Sequence, residues 1–343
     1  MSKNETVLQL VQLGKALREV AYQQDYSLFP DVQFRLEEKM MHSTHVNPWF
    51  TEDNIRFAFR AWSDLLQKEN ITAWLEKYPA DNPDPRKIGL ITAGNIPLVG
   101  LHDMICVFAA GHIAHVKPAS EDTLLPVMID LLEAISGNEA RFAIRKEMLK
   151  DADAYIATGS NNSARYFDYY FGKYPHIIRK NRNSVAILTG EESEEELRAL
   201  ADDILCYFGL GCRSVSKIYI PENYDFQPFF QAMSDYGHII QHNRYANNYD
   251  YHRTIYLMNK IPLWENGFLL LKEDENLSSP VSVLFYSVYQ DEKQLRSELN
   301  NNREALQCVV SKSDIPFGQT QYPALDDYAD GVDTMAFLTQ LPK

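Results

Sequence analysis

Between residues 87 and 188 short apolar runs alternate with helical stretches, and this alternation leaves few folds open. Lys87-Ile88-Gly89-Leu90-Ile91-Thr92 reads as a strand that closes on Ala93-Gly94-Asn95, with a helix over roughly 98–110 after it. Ile113-Ala114-His115-Val116-Lys117 reads as a second strand, and Leu124 to Ile135 as a second helix. Ala154-Tyr155-Ile156-Ala157-Thr158 is a third strand, closing on Gly159-Ser160-Asn161-Asn162 before a helix that carries Tyr166, Phe167, Tyr169 and Tyr170. His176-Ile177-Ile178 and Val185-Ala186-Ile187-Leu188 add two more strands. Strand–helix alternation predicts a parallel sheet covered on both faces. Ligands of such sheets bind beyond the carboxyl ends of the strands.

The flanking segments are different. Residues 1–78 read as helices: Val7, Leu10, Val11, Leu13, Leu17 and Val20 recur at helical spacing, and Thr51-Glu52-Asp53 starts another helix as cap and acidic first turn. Tyr78 to Pro85 holds three prolines in seven residues and forbids a continued helix. Glu194 to Phe208 is helical and ends at Gly209-Leu210-Gly211-Cys212. Val215 to Ile220 is a strand stopped by Pro221, a tyrosine-rich loop covers about 240–256, and Val281 to Val288 is β-rich. Asp326-Asp327-Tyr328-Ala329-Asp330 reads as a solvated acidic surface. The 343 residues predict two domains, divided at 205 into 1–205 and 206–343, with a C-terminal tail that returns to the first.

Composition narrows the partners. The formal charge of −14 argues against nucleic acid or an anionic membrane as main partner, because both need a basic footprint. It leaves room for a small anionic ligand on a local basic patch. The most apolar run, Ile105 to Val116, is too short to span a bilayer, and MSKNETVLQL has no apolar leader core. Cys106, Cys206, Cys212 and Cys308 form no CxxC pair and no disulfide framework. A reduced, cytoplasmic protein is the expectation.

Cys212 is the sharpest chemical candidate. Its flanking glycines permit a tight turn that uncovers the thiol, and Arg213 beside it favours the nucleophilic thiolate. The competing reading, a small buried core cysteine, suits Cys106, Cys206 and Cys308, which have apolar neighbours. The segment 209–214 misses the dinucleotide fingerprint twice: Ser214 replaces the third glycine, and helix precedes strand. Asn95, after the first strand, offers a side-chain amide to a developing oxyanion or serves as a cap. Lys117 and Ser120 end the second strand, where they hold ribose or phosphate, or are a solvated lysine and an N-cap serine. Thr158, Gly159 and Ser160 end the third strand before a helix, whose free amides favour a phosphate. The histidine pairs 42/45, 112/115 and 238/242 accompany no HExxH or Cys cluster, so no metal is expected. No Walker or GxSxG motif is present.

Taken in order, the Asn-x-Pro, Lys-Pro-x-Ser and Thr-Gly-Ser strand ends and the Gly-x-Gly-Cys turn resemble the aldehyde dehydrogenase superfamily. The resemblance runs from about Ile88 to Val288, is nearer to the acyl-CoA reductase branch that contains the fatty-acid reductase subunit of bacterial luminescence, and has a C-terminal echo in Pro316-Phe317-Gly318-Gln319. It implies an α/β fold of two domains, each with a largely parallel sheet covered by helices, after an N-terminal helical segment. Residues 1–205 would bind NAD(P) and 206–343 would carry the nucleophile. Cys212 would take up the acyl group as a thioester, and Asn95 with the Cys212 amide would form the oxyanion hole. Lys117 and Ser120 would meet the adenosine ribose or its 2′-phosphate, and Thr158, Gly159 and Ser160 the pyrophosphate.

Two departures from the pattern are informative. Hydrolytic members carry a glutamate in a Glu-Leu-Gly-Gly segment where this chain has Arg179-Lys180-Asn181-Arg182-Asn183-Ser184-Val185, so the base that would activate water is missing. The basic residues at 179–182 and 213 suit anionic phosphates, or are a solvated strand edge. The nicotinamide-ribose glutamate falls at Asn276, with Glu275 next to it. The expectation is an NAD(P)H-dependent acyl-CoA reductase that forms an aldehyde, with NADPH preferred over NADH and a homodimer or an acyl-transferring protein as partner. The alternatives are an acyl-phosphate reductase of the glutamyl-phosphate reductase type and a non-catalytic subunit.

Overall fold

The amino-terminal helices follow from their caps and apolar stripes. Helix α1 (Lys3–Ala21) is capped by the Ser2 hydroxyl, which accepts from the Glu5 N–H, and buries Val7, Leu10, Leu13, Leu17 and Val20 along one face. Helix α2 (Pro30–Val46) starts on a proline. Thr51 caps α3 (Glu52–Leu65) through the Asn54 N–H, as its sequence predicts, and α4 (Lys68–Glu76) follows. This computed structural model describes residues 2–79, 84–137, 140–147 and 149–342. Part of the expected proline-rich break, 80–83, therefore lies outside the described residues.

The first sheet contains β1 (Lys87–Ile91), β2 (Ile113–Lys117), β3 (Phe142–Ile144), β4 (Ala154–Thr158) and β5 (His176–Arg179). Their order is β3-β2-β1-β4-β5 and every pairing is parallel. Helices α5 (Leu101–Ala109), α6 (Leu125–Ile135) and α7 (Asn161–Phe171) connect strands. The strand order reverses at β1, with β2 and β3 on one side and β4 and β5 on the other. That makes the β1/β4 gap the topological switch point, where an open α/β sheet binds its ligand. Tyr155 stacks on Phe171 at 4.1 Å and helps bury β4 beneath α7.

The second sheet contains β6 (Asn183–Ile187), β7 (Val215–Pro221), β8 (Trp264–Glu265), β9 (Leu270–Glu273), β10 (Val283–Tyr289) and β11 (Leu306–Val310). The order is β11-β6-β7-β10-β9-β8, parallel except for the β8–β9 pair. Helices α8 (Glu194–Leu205), α9 (Phe226–Ala232), α10 (Asn243–Met258) and α11 (Glu292–Asn301) accompany it. Leu295 and Leu299 of α11 pack with Val185, Ile187 and Leu306, while Tyr249 of α10 packs with Leu270, Val283 and Phe285. Helix α8 begins with a full capping box: Ser193 accepts from the Glu196 N–H, and Glu196 accepts from the Ser193 N–H.

The chain divides into one unit of Met1–Lys180 with Ala324–Lys343, and another of Asn181–Pro323. The boundary read from the sequence, at 205, is thus displaced. The cause is β6, whose apolar run pairs with β7 and β11 rather than with β5, so residues 181–205 belong to the second unit. Residues 324–342 are fastened to the first. His102 Nε2 lies 2.9 Å from the Leu325 carbonyl, and Trp74 donates to the Tyr328 hydroxyl at 2.7 Å. His112 Nε2 lies 3.0 Å from the Leu338 carbonyl in α12 (Thr334–Thr339). Tyr328 is therefore buried, and Asp326 pairs with Lys77, so the stretch read as solvated acidic surface is in part an anchor. The segment expected as a tyrosine-rich loop is mostly helix α10, with Tyr245 and Tyr249 turned inward.

Candidate functional site

The first unit gathers six candidate residues on one sheet edge. Ile91 of β1 is level with Lys117 of β2 and Ala157 of β4, so Lys117 and Thr158 close their strands, and Asn95, Ser120, Gly159 and Ser160 follow the same carboxyl ends next to the switch point. The Thr92 N–H donates to the Lys117 carbonyl at 3.2 Å and stitches the ends of β1 and β2 together. Beyond that stitch the two loops touch. A Cβ on Gly94 would stand 2.6 Å from the Ala119 Cβ, so only glycine fits there. The Gly94 carbonyl accepts from the Asn47 side-chain amide at 3.0 Å, which fixes the loop that presents exposed Asn95. Helix α5 follows without a side-chain cap at Gly100.

Lys117 is half-buried and Ser120 exposed. Ser120 does not cap α6, whose N-cap is Leu124; just ahead of it the Asp122 Oδ1 accepts from the Leu124 and Leu125 N–H groups at 3.0 Å each. The Asp122 carboxyl is buried, and burial pushes it above the usual carboxylate range while those two donors pull it back. Its Oδ2 and the buried Thr92 Oγ1 find no hydrogen-bond partner among the described residues. The reading of the sequence missed Asp122, although an Asp before an apolar run that carries Pro126 is a helix-start signal. Ser160 caps α7, accepting from the Ser163 N–H at 3.2 Å, and the Gly159 N–H points to the Arg179 carbonyl at 3.4 Å.

Two arginines of the basic cluster expected to serve phosphates are otherwise employed. Arg179 is buried, ion-paired with Asp103 of α5 and hydrogen-bonded to Thr334 at 2.9 Å, so it holds the C-terminal segment rather than a ligand. Arg182 donates to the Leu306 carbonyl at 3.2 Å.

In the second unit, α8 gives way to a turn that ends at the proposed nucleophile. Tyr207 (φ 53°), Phe208 (φ 59°) and Gly209 (φ 73°) are all left-handed, a conformation that costs about 1–3 kcal/mol for each non-glycine residue. Burial of both aromatic rings offsets that cost, and the Phe208 ring lies 4.4 Å from His242. Cys212 is exposed just before β7, while Cys106, Cys206 and Cys308 are buried. Burial pushes the Cys206 thiol up to about 12 and Cys106 well above its usual value, so neither is a nucleophile near neutrality. The Cys212 carbonyl accepts from the Ser184 hydroxyl at 2.9 Å. Arg213 Nη1 lies 3.4 Å from the Cys308 sulfur and 3.3 Å from the Thr320 carbonyl, so this nitrogen is held beside the Cys212 turn by two residues distant in sequence.

Two further groups of this unit escaped the sequence reading. Lys217 of β7 is 1% exposed; its ammonium donates to the Asp274 carbonyl at 2.8 Å and lies over the Tyr219 ring. Burial pulls its pKa below that of an ordinary lysine. A cavity of about 390 Å³ opens beyond β7 and β10, lined by Tyr219, Glu222, Glu275, Ser287, Asp291 and Glu298 among others. No Lys or Arg lines it, so it does not suit a dinucleotide or CoA phosphate. Asn276, at the expected ribose-glutamate position, donates its N–H and side-chain amide to Asp274. Among the described residues no group of three or more His, Cys, Asp and Glu could hold a metal ion, and no helix is long and apolar enough to cross a membrane.

No family model matches the chain, and no curated protein matches it in sequence. Solved structures do match. Aldehyde dehydrogenase 21 from Physcomitrella patens is 14% identical with a TM-score of 0.61, over 89% of this chain and 74% of that one. The aldehyde dehydrogenase KauB from Pseudomonas aeruginosa is 12% identical with a TM-score of 0.60, over 90% and 72%. An NAD-dependent aldehyde dehydrogenase from Sinorhizobium meliloti is 12% identical with a TM-score of 0.59, over 92% and 73%. At such identities the likeness is one of fold: the chain has an aldehyde dehydrogenase-like architecture, two α/β units with largely parallel sheets after an N-terminal helical segment.

Proposed function

We propose that the chain reduces an acyl thioester, acyl-CoA, to an aldehyde at the expense of NADPH or NADH. The observation that carries the reading is Cys212: the exposed thiol of the four, on a strained left-handed turn inside an aldehyde dehydrogenase-like fold. The first sheet's carboxyl edge suits a dinucleotide. It lies at the switch point, holds Lys117 without an ion pair among the described residues, and has two orphaned buried polar atoms, Thr92 Oγ1 and Asp122 Oδ2. Lys117 and Ser120 would hold the adenosine ribose, and Thr158, Gly159 and Ser160 the pyrophosphate. When bound, the nicotinamide supplies a hydride.

The chain's own residues do the rest. The Cys212 thiolate attacks the acyl carbonyl carbon, the C–S bond to CoA breaks, and CoA leaves as a thiol after taking a proton. Asn95, with the Cys212 amide, donates to the oxyanion that forms. After reduction the carbon–Cys212 bond breaks, which releases aldehyde and regenerates the thiolate. The glutamate that would direct water to the acyl-enzyme is absent from the Arg179–Val185 segment, so release as a free acid is disfavoured.

Incubation with a long-chain acyl-CoA, followed by peptide mass spectrometry, tests this. An acyl adduct on Cys212 that disappears when NADPH is added is the expected result. No adduct, with acyl-CoA and acyl phosphate both inert to NADPH, would leave a non-catalytic subunit. Turnover with acyl phosphate alone would move the substrate class.

A further inference from the structure

A connected set of hydrogen bonds reaches the Cys212 turn from far along the sequence. Asp203, the most deeply buried carboxylate of α8, is fully enclosed. It accepts three bonds from one C-terminal turn: Gly318 N–H at 2.7 Å, Thr320 N–H at 3.0 Å and the Thr320 hydroxyl at 2.8 Å. Gly318 has φ +80°, and a Cβ there would stand 2.9 Å from that of Ala199, so the turn is pressed onto α8. The Thr320 carbonyl faces outward from this anchor and receives Arg213 Nη1 at 3.3 Å. The same nitrogen reaches the Cys308 sulfur at 3.4 Å. The Ser184 hydroxyl closes the set, accepting from the Cys308 N–H at 3.1 Å and donating to the Cys212 carbonyl at 2.9 Å.

A cation held beside the turn favours the Cys212 thiolate. Arg213 on its own is a flexible side chain, and the Thr320 carbonyl gives it a fixed place.

We propose that Asp203 and Thr320 are positioning residues for Cys212: Asp203 fixes the Gly318–Thr320 turn, the turn seats Arg213, and Arg213 with Ser184 holds the Cys212 backbone and its charge environment. The Pro-Phe-Gly segment is then a buttress of the nucleophile turn. This rests on Cys212 being the nucleophile, so the test uses a readout that does not depend on turnover.

The experiment compares Thr320→Val, which keeps the volume and loses the hydroxyl donor, with Thr320→Ser, which keeps the donor and loses a methyl. Cys212 alkylation by iodoacetamide at neutral pH is followed by peptide mass spectrometry, beside acylation by acyl-CoA and a thermal melt. Thr320→Val should slow alkylation about threefold or more, as the thiolate fraction falls, and Thr320→Ser should restore it. A packing role would give the reverse order. Arg213→Gln should slow alkylation similarly, and the double variant with Thr320→Val should be no slower than either single one. Additive effects, or alkylation in Thr320→Val that is unchanged or faster, would overturn the proposal. Asp203→Asn should match Thr320→Val; should it fail to fold, the Thr320 pair still decides. Wild-type Cys212 that alkylates in this pattern but takes no acyl group would sink the reductase reading and leave the positioning roles standing.

Discussion

The two sheets present their candidate chemistry at opposite ends of their strands. In the first, Asn95, Lys117 and Ser160 stand at or beyond carboxyl ends, and Ser160 opens α7, whose amino terminus favours an anion. In the second, Cys212 stands before the amino end of β7, seven residues past the end of α8. The first edge is generic to open α/β sheets, and the cofactor contacts proposed for it are spread over several groups. The chemistry proposed for the second rests on one strained turn, a tethered arginine and a buried carboxylate. Chemistry concentrated in few side chains should be fragile; chemistry spread over a sheet edge should degrade gradually.

Substitution tests that contrast directly. Cys212→Ala should lower aldehyde formation on the order of 10³-fold or more and abolish the acyl adduct seen by mass spectrometry. Full turnover in that variant would remove the second unit's claim to the chemistry. Arg179→Ala leaves Asp103 buried without its partner and should cost about 3–5 kcal/mol, read as a lower denaturant midpoint. A loss under about 1 kcal/mol would show that the C-terminal segment is not held there. Asn95→Ala should slow acylation about 10²–10³-fold, and an unchanged rate would end the oxyanion assignment. Lys117→Ala should raise the KM for NADPH about tenfold with little change in kcat, as removal of one dispersed contact would.

The smallest effect concerns pH. His112 sits between the Arg86 N–H at Nδ1 and the Leu338 carbonyl at Nε2, which suits the neutral ring. Burial holds its pKa below 6.5 in the folded protein. Below pH 6.5 the unfolded chain therefore takes up a proton that the folded chain refuses, and stability falls as pH drops. The acid limb of a melting-temperature profile should flatten in His112→Gln; an identical profile would remove this residue from the account.

What the sequence disclosed follows from how local each signal is. Strands β1, β2 and β4 were legible because each is a short apolar run that stops at Gly, Asn, Lys or Ser. The three residues of β3 were not, nor was β11, a run as long as β1 that Gln307 interrupts. Helix α10 carries no continuous apolar stripe; Tyr, Asn, His and Arg fill it, and two inward tyrosines suffice to dock it. The boundary was misplaced because an apolar run states that it is a strand and not which sheet it joins. The same locality governs the site. Cys212 and Asn95 sit in turns with their own punctuation, whereas Asp203 meets Thr320 across 117 positions, a pairing that no window of sequence displays.

The chain leaves the first unit at 180 and re-enters it at 324, so both of its ends belong to that unit. Tension applied between the termini would be borne first by α1, the first sheet and the Arg179 and His112 fastenings. The second unit, contiguous from 181 to 323, would hang slack in that circuit until the first had opened. In a single-molecule pulling experiment the two rips should therefore come in a fixed order, with the unit that carries Cys212 the last to yield.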